Sequence, residues 1–163
     1  MPTIGIEYYS WKGAVQDSPQ QLVQLWETSG QKRFQPILET YFRHSSVVVV
    51  VYDTRETLPT YWLDQARHYI DASTMLALVG HQLEEGAAQK RVASEDLEGL
   101  GDDVPHFTCN AKTGHGVKAA FDGILREYLA RHPLPPAVPS HVASLTQPSE
   151  GTLSKSTWWT CCG

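Results

Sequence analysis

A chain of 163 residues is long enough for one domain with a proper core and too short for two comfortable ones. Hydrophobic residues make up 41% and charged residues 19%, which excludes a wholly disordered chain. A net charge of −5, with no stretch that gathers Lys and Arg, excludes nonspecific binding to nucleic acid.

In chain order, Ile4, Ile6 and Tyr8 alternate ahead of a Lys12-Gly13 turn, and a polar loop through Pro19 leads to an apolar stretch from Gln21 to Trp26, so a hairpin is expected to open the fold. A helical stretch follows Phe34. Val47 to Val51 is an unbroken β-branched run, the pattern of a strand buried on both faces of a parallel sheet. Thr57 to Ala72 has Pro59 in its first turn and spaces Tyr61, Trp62, Ala66 and Tyr69 as a helix does. Short strands are predicted at Met75 to Gly80 and at Val104 to Cys109, and Val117, Phe121, Ile124 and Tyr128 mark a last helix. Strands alternating with helices imply an α/β fold of three layers, a mostly parallel sheet with helices on both faces. The domain is expected to span residues 1–132. Pro133, Pro135, Pro136, Pro139 and Pro148, set among Ser, Thr and Ala, predict a flexible tail over 133–163.

Neither a basic nor an apolar targeting stretch stands at Met1 to Gly5, and the longest apolar run is far too short to cross a bilayer, so a cytosolic location is expected. Cys109, Cys161 and Cys162 do not read as a disulfide framework, and seven scattered histidines without HExxH or a paired CxxC give no zinc site.

The segment WETSGQKRF, Trp26 to Phe34, leaves a strand and enters a helix, which is where a doubly wound sheet presents its ligand-binding loops. It resembles the WDTAGQERF segment of small GTPases of the Rab type. By that resemblance the Gly30 amide contacts the terminal phosphate of GTP, Gln31 orients the attacking water, and Glu27, one methylene longer than the family aspartate, stands near Mg2+. TIGIEY, Thr3 to Tyr8, is similar to the family's TIGVEF, which implies that the Thr3 hydroxyl senses metal and phosphate. Val50 to Asp53 resembles the strand before the family's third helix, with Asp53 expected to serve as a cap or turn residue.

Guanine is read in this family by an NKxD segment, and the matching stretch here has His81, Gln82 and Glu84 at its defining positions. A buried polar group left without a partner costs about 1–3 kcal/mol, so these changes are expected to weaken base selection, with Glu84 assisting only weakly. TCNAKTG, Thr108 to Gly114, is similar to the family's ETSAKTG, which makes Ala111 and Lys112 the implied base contacts. No GxxxxGK[ST] phosphate loop occurs in the 163 residues. Losing several charge-assisted hydrogen bonds at roughly 1.5–3 kcal/mol each removes decades of affinity, so GTP, GDP and Mg2+ are expected to bind weakly.

The resemblance begins at the switch threonine, so the family's first strand, its phosphate loop and its first helix have no counterpart in it. That strand lies between the two matching Gln21 to Trp26 and Val47 to Val51, each of which is expected to lose a neighbour and become an aggregation template.

Cys161-Cys162-Gly163 is similar to the double-cysteine prenylation signals of Rab proteins, which implies geranylgeranyl lipid on Cys161 and Cys162 and reversible anchoring to the cytosolic face of intracellular membranes. The implied partners are that membrane and the effector and regulator proteins of Rab type, in vesicle traffic. Three readings stay open: a working GTPase whose start lies upstream of Met1, a non-hydrolysing membrane-anchored binding module, and a gene fragment.

Overall fold

A computed structural model describes residues 4–13, 21–82, 92, 97, 99–101 and 103–133, and the backbone of 157–162. Strand β1 (Ile6–Gly13) folds back on β2 (Gln21–Thr28) as an antiparallel hairpin whose register runs from Ile6 opposite Thr28 to Gly13 opposite Gln21. A 3-10 turn at Lys32–Phe34 leads into α1 (Gln35–His44), where Pro36 occupies a first-turn position that needs no backbone donor. Then come β3 (Val47–Asp53), α2 (Thr60–Tyr69), β4 (Met75–His81), β5 (His106–Cys109), α3 (Val117–Arg131) and β6 (Thr157–Cys162). Helix α2 is shorter than its sequence pattern predicts, because Pro59 stands at its N-cap and Ile70 has already turned extended.

The six strands lie in the order β1-β2-β6-β3-β4-β5, with β1 antiparallel and every other pair parallel. The valine run of β3 is apolar at each position because both faces of the sheet are covered. Val48 and Val50 pack with Leu38 and Phe42 of α1 and with Leu63 and Ala66 of α2. Val47 and Val49 face the other way, with Val23, Met75, Ala77 and α3's Ile124 and Leu125. The α/β architecture, its parallel sheet and the helices on both faces agree with the sequence pattern.

The end of the chain differs from that pattern. The last part of the predicted flexible tail is strand β6, parallel to β2 from Val23 opposite Thr157 to Thr28 opposite Cys162, and parallel to β3 from Val47 opposite Trp159 to Val50 opposite Cys162. Neither β2 nor β3 therefore lacks the neighbour that the sequence reading takes away. A buried strand leaves N–H and C=O groups that must find partners, and TWWTCC, rich in residues that suit a pleated surface, supplies them. Proline spacing upstream concealed this. Residues 134–156 lie outside the described residues.

Candidate functional site

The strands β2, β6, β3 and β4 end on one edge of the sheet, and a cleft of about 570 Å³ opens there. Glu27 and Thr28 of β2, Asp53 of β3, His81 of β4 and the α2 approach at Glu56 to Pro59 line it. In an open parallel sheet this carboxyl edge is where ligands sit.

Gly30 and Gln31 leave β2 at this same edge. Ser29 anchors the turn, its N–H donating to the Gly5 carbonyl at 3.0 Å while its Oγ accepts from the Gln31 N–H at 3.3 Å. The Gln31 carbonyl then accepts from the Phe34 N–H at 2.9 Å, which starts the 3-10 turn. Gly30 is exposed and Gln31 half-buried, and neither lines the cleft, whereas Glu27 does. Thr3 and Glu84 lie outside the described residues.

The second half of the site is a corner between β4 and the loop after β5. The Gln82 N–H donates to the Cys109 carbonyl at 2.8 Å. Asn110, buried at 6% exposure, accepts through its Oδ1 from the Lys112 N–H at 3.0 Å and the Thr113 N–H at 3.1 Å, an Asx turn that sets the loop. The Ala111 N–H is already engaged, donating to His81 Nδ1 at 3.2 Å. That amide is the base contact the family resemblance implies, and here its bond goes to the His81 imidazole. Lys112 is exposed.

Carboxylates line the cleft at Glu27, Asp53 and Glu56, and Asp53 is paired with Arg55. Glu7 faces Glu27 across the hairpin, and Tyr9 donates to Glu7 at 2.5 Å, a bond that with the Glu7 charge pushes the Tyr9 phenol up. Asp53 closes a turn by accepting from the Arg55 N–H at 2.9 Å, and the Arg55 guanidinium beside it lowers its pKa to about 2. It therefore caps a turn. Behind it the Tyr52 hydroxyl meets His106 Nε2 at 3.1 Å, and burial raises the Tyr52 pKa.

The lining side chains among the described residues include Glu27, Asp53 and Glu56 but no Lys or Arg, so a polyanion meets like charge. Among the described residues no three His, Cys, Asp or Glu side chains gather as metal ligands.

Sequence reasoning missed a row of rings on the opposite face of the hairpin. Tyr8 lies 4.8 Å from Trp26, and Trp26 lies 5.4 Å from Tyr41 of α1, between ring centroids. Period-two alternation puts Tyr8 and Trp26 on one face once the hairpin register is known; Tyr41 joins them only through tertiary packing.

A model of the Ras family matches residues 1–130. The chain belongs to the Ras family. Its relatives are of Rab type: the Ras-related protein Rab-26 of Drosophila melanogaster is 31% identical over 137 residues, 79% of this chain and 34% of that one. Rab-26 of Bos taurus is 29% identical over 143 residues, 84% of this chain and 55% of that protein, and human Rab-37 is 29% identical over 138 residues, 80% and 61%. This Rab-type chain thus spans from about a third to about three fifths of the length of these relatives.

Proposed function

We propose that this Rab-type chain is a membrane-traffic component whose nucleotide site is weakened, so that binding of partners rather than hydrolysis carries its function. The observation that supports this most directly is the Ala111 N–H bonded to His81 in the corner meant for the base. A carboxylate-lined cleft without Lys or Arg among its described lining residues supports the same reading. Gly30 and Gln31 leave β2 at the carboxyl edge without lining the cleft, which supports a reading without hydrolysis. Effector and regulator proteins of the Rab type are the proposed partners. The Tyr8-Trp26-Tyr41 row, with Tyr8 47% exposed, suits an aromatic-rich protein contact.

The membrane is the second proposed partner, through geranylgeranyl lipid on Cys161 and Cys162. No helix among the described residues is long and apolar enough to cross a bilayer, so attachment in this reading depends on lipid.

Calorimetric titration of GTP with Mg2+ into the full chain tests the nucleotide reading. The expected Kd is weaker than about 1 μM. His81→Ala frees the Ala111 amide, and because a hydrogen bond is worth about 1 kcal/mol net, affinity should rise by about fivefold. Nanomolar binding by the unaltered chain would overturn the proposal.

A further inference from the structure

Strand β6 contains the two cysteines that the lipid reading above requires, and the following inference rests on that reading. Cys161 stands in register with Glu27 on one side and Val49 on the other; Cys162 stands between Thr28 and Val50. A strand held between two parallel neighbours has its N–H and C=O groups committed to their ladders. A transferase that alkylates a cysteine needs the same backbone released and extended in its own cleft. Both cannot hold Thr157–Cys162 at once.

Room is the second constraint. Val49 and Val50, the β3 partners of the two cysteines, are 1% and 0% exposed and belong to the cores on opposite faces of the sheet. On the β3 side both faces are filled at this level, and a close-packed interior does not accept a chain of twenty carbons, whereas on the β2 side Glu27 and Thr28 line the open cleft.

We propose that β6 is a latch: docked, it completes the sheet and withholds Cys161 and Cys162; released, it offers them to a protein prenyltransferase carrying an isoprenoid diphosphate. In that transfer the cysteine sulfur attacks the first carbon of the isoprenoid. A C–S bond forms as the C–O bond breaks, diphosphate leaves with the electron pair, and the thiol proton passes to solvent. Release leaves β2 and β3 with open edges for another strand or partner.

Amide hydrogen exchange on the full chain, read peptide by peptide, tests docking directly. The amides of 158–162 should be protected together with those of β3 and β4. Trp158→Pro, opposite Gln24 in the ladder, removes a donor from a central strand. It should speed exchange at 159–162 by at least about tenfold while β4 stays protected, and it leaves the last four strand residues unaltered. Trp158→Gly is the milder variant if the proline change unfolds the domain. With geranylgeranyl diphosphate and a geranylgeranyltransferase, lipid incorporation should rise in step with that release. Unprotected amides at 158–162 in the unaltered chain overturn the latch. So does equal incorporation before and after release, in which case the lipid reading stands. No incorporation even into a released end sinks the lipid reading and the latch with it, while protected amides leave the docked strand in place.

Discussion

Strand β3 has a parallel neighbour on each side, and the two reach it by different means. On one side β4 follows β3 in the chain after a single helix, pairs with it along its whole length from Val47 opposite Met75 to Asp53 opposite His81, and is buried from Met75 to Gly80. On the other side β6 comes from the far end of the chain and pairs over Val47 to Val50. A valine-rich strand demands two ladders whatever supplies them. Short connections make the first partner nearly obligatory, because little chain entropy is lost in bringing it back; the second is recruited from a distance and competes with any other use of the same residues.

The comparison breaks most visibly if the β6 side is emptied. A chain ending at residue 156 should keep the β3–β4 pair yet expose the edges of β2 and β3, and light scattering should show concentration-dependent association that the full chain lacks. A truncated chain that stays monomeric would mean that β6 protects nothing. On the β4 side, Leu78→Ala removes a fully buried side chain and should lower unfolding free energy by about 2–5 kcal/mol in denaturant titrations. Gly123 tests the flank beyond β4. A Cβ there would stand 2.4 Å from the Phe107 ring of β5, so Gly123→Ala should cost about 1–3 kcal/mol with the β6 amides still protected.

The smallest effect is a change of slope with pH. Arg55 holds the Asp53 carboxyl at about 2 in the fold, against 3.8 for an ordinary aspartate. The unfolded chain therefore binds more protons between these values, and the stabilisation from Asp53 is present above about pH 4 and is lost as pH falls toward 2. Asp53→Asn should flatten the acid limb of the stability profile in that window, with a small loss of stability at neutral pH that disappears toward pH 2. An unaltered acid limb would show that the Arg55 contact does not lower the carboxyl.

Much of the fold was legible because local patterns carried it. The β-branched run at Val47 to Val51 announces a two-sided strand, and Val117, Phe121 and Ile124 announce a helix that buries one stripe. The turn at Gly30 and Gln31 was legible from residues in register with a known segment. His81 as the partner of the Ala111 amide was not, since the two are thirty residues apart and meet only because β4 and β5 end side by side. Asn110 was half-legible: an Asn before a Gly-bearing loop signals a turn, but which amides it holds depends on the loop's path.

The sequence by itself determined that a parallel α/β core forms, that one strand is buried on both faces, and that a Rab-like turn follows β2. Those properties are written in neighbouring residues, through periodicity, branching and turn chemistry. Tertiary structure alone decided that Thr157–Cys162 fills the slot beside β3 and that His81 occupies the amide of Ala111. Both outcomes join segments distant along the chain, where pairing is chosen by which groups still lack a partner after the local elements have formed.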